Sequence, residues 1–300
     1  MTRRFDPLRL ASWGASFLVA GFFALMLMLF VLQSLPVFIN EGVGYVTGRV
    51  WHFRAETFGV LPMIYGTLAV SAIALLLAGP IAIGAALFTS EVLSSRKRLW
   101  IKVPIELLAG VPSVVYGLLG IFLLRGWIYQ LLEPFDPLSG DTLLTAGVLL
   151  AVMVLPTVMT LSDDALRSVP ASQRRAARGL GLTVSQTAHR VSLPQAAPGI
   201  VAALLLALGR ALGETIAVFL VVGRQDNQWP KTLFSLRPLL EAGQTLTSKL
   251  GGSETFLAYG DPLHWAAILG LALVLLILVA TLTLIGGRFT SAKITPGKQP

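Results

Sequence analysis

Two ionisable residues, Arg210 and Glu214, lie inside the otherwise apolar run Ala196–Val222. A guanidinium presents N–H donors in a planar fork that matches phosphate-like oxyanions two bonds at a time. On a helix, positions i and i+4 share a face, so the Glu214 carboxylate is placed to hold that fork in orientation. An arginine in hydrocarbon costs about 3 kcal/mol on insertion scales, and such residues are expected to face a protein interior or a water-filled cavity. Two readings stay open: an anion site on a permeation path, or an ion pair that locks neighbouring helices. Gly209 with Gly213, and Ala207 with Ala211, leave room for a second helix to approach closely.

A second stretch, Arg174–Pro194, reads RRAARGLGLTVSQTAHRVSLP. Ala177, Leu180, Val184, Ala188 and Val191 recur at steps of three and four and predict one apolar face, with Arg174, Arg175, Arg178 and Arg190 on the basic remainder. Gly179 and Gly181 predict two short helices joined by a turn. Such a segment suits either anionic headgroups or a cytoplasmic partner. No enzyme motif accompanies it: the chain has no phosphate-binding G-x-x-x-x-G-K-[ST] loop, H-E-x-x-H pair or G-x-S-x-G elbow. His52, His189 and His264 are expected in separate loops or at a span edge, and no cysteine is present.

The elements that position these residues are membrane helices. With 55% apolar and 13% charged residues and a mean hydropathy of +0.76, the chain is an integral membrane protein. Charge-poor runs predict six spans, at Ala11–Leu35, Leu61–Phe88, Val103–Leu124, Leu143–Leu161, Ala196–Val222 and Trp265–Ile285. The first is too long for a signal peptide's apolar core and reads as an uncleaved helix. Fifteen Lys and Arg fall in the N-terminal tail, the loops after spans two and four and the C-terminal tail, against seven in the opposite loops. That asymmetry predicts cytoplasmic termini and a cytoplasmic Arg174–Pro194 segment, and it accounts for the net charge of +8 without nucleic acid.

Pro80, Pro112 and Pro156 fall within predicted spans, where neighbouring helices re-satisfy freed backbone groups, and Gly110-Val-Pro-Ser113 predicts a definite bend. Glu106 is expected near a helix N-terminus at the cytoplasmic surface, and Arg125 as an anchor just past the outer end of span three.

The spacing Ala176-Ala177, then Gly181, then Val191-Ser192-Leu193-Pro194 resembles the "EAA" loop of ABC importer permeases. Within that family the chain is similar to the phosphate-type permeases, and to their C-type more than their A-type subunit. The residues that carry this are Pro62-Met-Ile-Tyr-Gly-Thr67, the run Ile105-Glu-Leu-Leu-Ala-Gly-Val-Pro-Ser-Val-Val-Tyr-Gly117, and Gly209-Arg-Ala-Leu-Gly-Glu-Thr215. The resemblance implies an all-α, six-helix type I importer permease fold in the cytoplasmic (inner) membrane. It divides the chain into residues 1–56, a permease core at 57–290 with its coupling loop at 163–195, and a tail at 291–300.

The resemblance further implies Arg210 and Glu214 on the substrate pathway. Coupling falls to Arg174, Arg175, Ala176, Ala177, Gly179, Gly181, Leu193 and Pro194. The implied partners are a homologous A-type permease, two ATPase subunits that bind the ATP, an extracytoplasmic phosphate-binding protein and membrane lipid, with no cofactor on this chain. One position departs: Arg175 stands where the family carries glutamate, and a compensating change in the ATPase is expected. Outside the importer reading stand a gradient-driven secondary anion transporter and a structural membrane subunit. Inside it, phosphonate, phosphite, sulfate and molybdate are alternative anions.

Overall fold

A computed structural model describes residues 7–230 and 237–291. Arg3 and Arg4 of the N-terminal tail, Lys231 of the outer loop, and Lys293 and Lys298 of the C-terminal tail lie outside the described residues. Among the described residues, six helices are long and apolar enough to cross a membrane. They are Ser12–Glu41, Leu61–Glu91, Ser113–Phe135, Leu143–Arg167, Val184–Gly213 and Pro262–Arg288, here the first to sixth spans.

The second and fourth spans form the central pair. Along the second, the buried positions Val70, Ala74, Ala78, Ala82 and Ala86 recur every four residues, making a ridge of small side chains. Leu150, Val154 and Val158 of the fourth join them in one core. Lipid tails are as apolar as leucine, so close van der Waals contact between such faces, rather than exclusion of water, holds the pair together. The fifth span adds Ala196, Ile200, Ala207 and Ala211 to the same core. The first span turns most of its apolar side chains outward and meets the sixth near the outer side, where the buried Tyr45 hydroxyl donates to the Ala267 carbonyl at 2.7 Å.

The expected third and fifth spans shift at both ends. Val103–Leu124 is not one helix: Ser95–Ala109 forms a separate helix, and the third span starts at Ser113. Pro112 cannot donate a helical hydrogen bond, it disfavours helical geometry at Val111, and its own ψ of 140° is extended. The bend expected at Gly110–Pro112 is therefore a full break. The third span recovers its length by continuing past Arg125, which lies within it and pairs with Asp141 at 3.4 Å rather than marking its end.

The fifth span starts earlier than expected, at Val184 rather than Ala196, and stops at Gly213 rather than Val222. A wider π turn at Ala188–Ser192 precedes Pro194 and lets the helix pass a residue without an N–H. Glu214 then takes an extended ψ of 119°, and a short helix resumes at Ile216–Val221. The outer loop after it is not plain surface: Gln244, Thr245, Thr247, Ser248 and Lys249 are buried. Leu246 N donates to Thr67 Oγ1 of the second span at 2.9 Å. Gly66 makes this docking possible, because a Cβ there would collide with the Gln244 carbonyl.

Candidate functional site

Arg210 occupies the last turn of helix Leu193–Gly213 and is exposed. Its Nη1 donates to Thr157 Oγ1 at 3.1 Å, in the middle third of the fourth span. An open groove of about 710 Å³ runs beside it, lined by Thr157, Leu206, Gly209, Val279 and Thr283. Nothing lies within 4 Å of where a Cβ would stand on Gly209 or Gly213. This face of the fifth span is open to a further helix.

Glu214 is not the partner the i+4 spacing predicts. Because the helix ends at Gly213, the backbone carries Glu214 off Arg210's face, and Glu214 Oε1 accepts from Ala217 N at 3.4 Å. Its carbonyl accepts from Thr247 Oγ1 at 2.9 Å, which ties the break to the buried outer segment. Among the described residues, Arg210 is thus left with a neutral partner and without a carboxylate within ion-pair distance. That arrangement leaves donors available to an anion in low dielectric, where a charge-assisted bond is about twice as strong as a neutral one.

The basic segment around Arg174–Pro194 folds as helix Ala171–Gly179, a turn, and helix Val184–Thr187. Gly181, at φ +87°, supplies the left-handed residue of that turn. Thr183 caps the second helix, donating its backbone N–H to Gln186 Oε1 at 3.0 Å while its side chain accepts from Gln186 N at 3.3 Å. Arg175, Ala176, Arg178, Gly179, Leu180 and Pro194 are exposed, Leu193 is half-buried, and Ala177 packs inward. The expected single apolar face is divided: Ala177 and Ala188 are buried, whereas Leu180 is 83% and Val184 42% exposed. The turn at Gly181 rotates the second helix away from the first. Arg174 differs from its basic neighbours in pointing inward, with its Nε 3.1 Å from Glu91 Oε1.

Sequence reasoning missed two charge clusters. In the first, buried Asp163 pairs with Arg98 and lies 3.6 Å from Lys102, which also reaches Glu106 at 3.6 Å and Asp164 at 3.1 Å. The adjacent carboxylates Asp163-Asp164 at the end of an apolar run were the available signal. In the second, Lys249 is only 3% exposed, pairs with Asp226 and Glu254, and sits 5.1 Å from the Trp51 ring centre. His264 is buried there rather than at a solvated edge, 2.9 Å from Glu254 Oε1. Burial pushes the Asp226 carboxyl up, partly offset by the Lys249 charge. Burial alone would raise Glu254 too, but hydrogen bonds from Lys249 and Trp51, the Lys249 charge and His264 hold it below the usual carboxylate range.

Residues 78–291 match the family described as binding-protein-dependent transport system inner membrane component. The chain belongs to this family. As a permease of that kind it is 34% identical to the phosphate transport system permease protein PstC of Mesorhizobium japonicum, over 82% of this chain and 76% of that one. It is 38% identical to PstC 1 of Mycobacterium tuberculosis, over 71% and 68% of the two chains. With PstC of Haemophilus influenzae the identity is 30%, over 92% and 90%. Among solved structures, a bacterial alginate ABC transporter in complex with its pentasaccharide-bound periplasmic protein matches with a TM-score of 0.63 over 99% of this permease and 100% of that chain, at 15% identity. The MetNI methionine ABC transporter in an inward-facing form gives 0.58 over 78% and 95%, at 17% identity. The fold is that of type I ABC importer permeases, and the permease is a multi-pass inner-membrane protein.

Proposed function

We propose that this permease is the C-type transmembrane subunit of an ATP-driven importer that carries inorganic phosphate into the cytoplasm. The observation that carries the reading is Arg210, an exposed guanidinium whose side-chain bond goes to a neutral hydroxyl in the middle third of the fourth span. Identities of 30–38% to proteins named as phosphate permeases point to the same anion. A homologous A-type permease covers the open Gly209/Gly213 face and closes the pathway around Arg210. Glu214 acts by fixing the helix break beside the path rather than by holding the guanidinium.

Two copies of an ATPase subunit bind and hydrolyse ATP, one of them seating the exposed Arg175–Leu180 surface, with Gly181 setting its shape and Leu193–Pro194 leading it into the fifth span. An extracytoplasmic binding protein delivers the phosphate to the outer loops, whose seven basic and nine acidic residues give free phosphate no net attraction. Both termini are cytoplasmic. Family membership and the exposed coupling surface favour an ATP-driven permease over a gradient-driven transporter.

The test is uptake of radiolabelled phosphate into proteoliposomes holding the complete complex, with phosphonate, phosphite, sulfate and molybdate as competitors. Uptake that needs internal or external ATP at the ATPase face, and that only unlabelled phosphate suppresses at equal concentration, is expected; preferential suppression by another anion reassigns the substrate. At the docking surface, Arg175→Glu is expected to weaken ATPase co-purification several-fold, by about 1 kcal/mol, as a rim charge facing a compensated partner. Unchanged assembly and coupling would remove this position from partner matching.

A further inference from the structure

We propose that Arg174 is an internal tie rod, which transmits movement of the ATPase-coupling helix to the spans and takes no part in docking. This rests on the reading of Ala171–Gly179 as the coupling helix. Three ends converge on one guanidinium. Nε stands 3.1 Å from Glu91 Oε1 at the cytoplasmic end of the second span and 3.3 Å from Ser192 Oγ at the foot of the fifth, while Nη2 donates to the Leu166 carbonyl at the end of the fourth.

The neighbouring arginines show the contrast. Arg175 and Arg178 are exposed, whereas the Arg174 side chain is 18% exposed and Glu91 only 2%. Glu91 Oε1 has no hydrogen bond of good geometry, so the nearby Arg174 charge is what compensates it. A buried carboxylate stripped of its paired cation is strongly unfavourable, so the coupling helix cannot leave Glu91 without taking the second span along. Arginine suits the post because its planar fork bonds two acceptors at fixed angles while its charge faces Glu91, where a lysine ammonium on a flexible stem would not hold that geometry. Packing alone gives no comparable link: Ala177 is the one buried side chain of the Ala171–Gly179 helix.

The experiment uses the complete complex in proteoliposomes and exploits the lack of native cysteine. A single Ala202→Cys, in the groove beside Arg210, reports the pathway through its rate of maleimide labelling with and without vanadate-trapped ATP. With Arg174 intact, trapping is expected to change that rate several-fold. In Arg174→Ala and in Glu91→Gln the change is expected to vanish, while the ATPase co-purifies normally and hydrolysis continues; Arg174→Lys should fall between. Glu91 is too buried to touch an ATPase, so the second variant separates transmission from docking.

Full gating in either Arg174→Ala or Glu91→Gln, loss of ATPase co-purification in Arg174→Ala with Glu91→Gln normal, or no ATP-dependent change in the parent would each overturn the proposal. Labelling does not depend on the identity of the anion. A parent complex that gates but takes up no phosphate refutes the phosphate reading alone.

Discussion

Arg210 and Lys249 are both cations held within the membrane-associated body of one chain, and they are treated in opposite ways. Lys249 is 3% exposed, paired with Asp226 and Glu254, and covered by the Trp51 ring. Arg210 is exposed, lies on a face with open glycines, and bonds to one hydroxyl. A cation saturated with carboxylates is a structural fastener, and its removal strands buried negative charge. A cation left with a neutral partner keeps capacity for a mobile anion. On the proposed reading, the difference separates framework from pathway without reference to position along the chain.

The comparison breaks most sharply at Arg210. Arg210→Ala is expected to abolish phosphate uptake by the reconstituted complex while the subunit still assembles and its stability shifts by no more than about 0.5 kcal/mol, as for an exposed site. Normal uptake in that variant would take the residue out of the pathway. Lys249→Met should do the reverse. Chemical unfolding in detergent is expected to register a loss of about 3 kcal/mol, with the apparent affinity of any surviving complex for phosphate unchanged. A stable Lys249→Met protein with altered affinity would erase the distinction.

A smaller effect should appear with pH. Glu254 has a lowered carboxyl pKa in the folded state, so its contribution is complete above the ordinary carboxylate value and is lost as pH falls through the folded value. Asp226, raised by burial, works in the opposite sense: its folded form holds the proton more tightly, so it favours folding at acid pH and loses that contribution as pH rises. Between about pH 5 and pH 3, Glu254→Gln should therefore flatten the loss of stability relative to the parent, measured by thermal unfolding. A steeper loss would assign the acid sensitivity elsewhere. Smallest is Thr157→Val, which removes Arg210's hydroxyl partner and should cost about 1 kcal/mol in apparent phosphate affinity, a few-fold, with assembly intact.

Local chemistry made much of this legible from the residues alone. Six apolar runs gave six spans, Gly110-Val-Pro-Ser113 marked a break, and Gly181 marked the turn of the cytoplasmic segment. The helix stop at Gly213 was not legible, because Leu212, Gly213 and Glu214 sit in a run whose apolar character continues to Val222, and the stop depends on Thr247 reaching in from a segment thirty residues away. Arg174 and Glu91, eighty residues apart, carry no mutual signal in spacing. Lys249 and Glu254 looked like ordinary outer-loop charges, since burial there is created by Gly66 admitting the Gln244 backbone. Charges satisfied across spans could not be read, and the one pair expected within a turn, Arg210 with Glu214, is undone by the helix stop.

The early end of the fifth span has one more consequence. A helix that stops at Gly213 presents its last carbonyls to the turn that carries Arg210, and that helix end holds about half an elementary negative charge. The resting guanidinium therefore has a fixed, diffuse counter-charge that cannot move away. An arriving oxyanion displaces none of it and feels a cation already partly neutralised, so the grip is set below that of a bare arginine. For a carrier, a moderate grip is the useful one: the anion must be held long enough to be admitted and loosely enough to be let go on the other side.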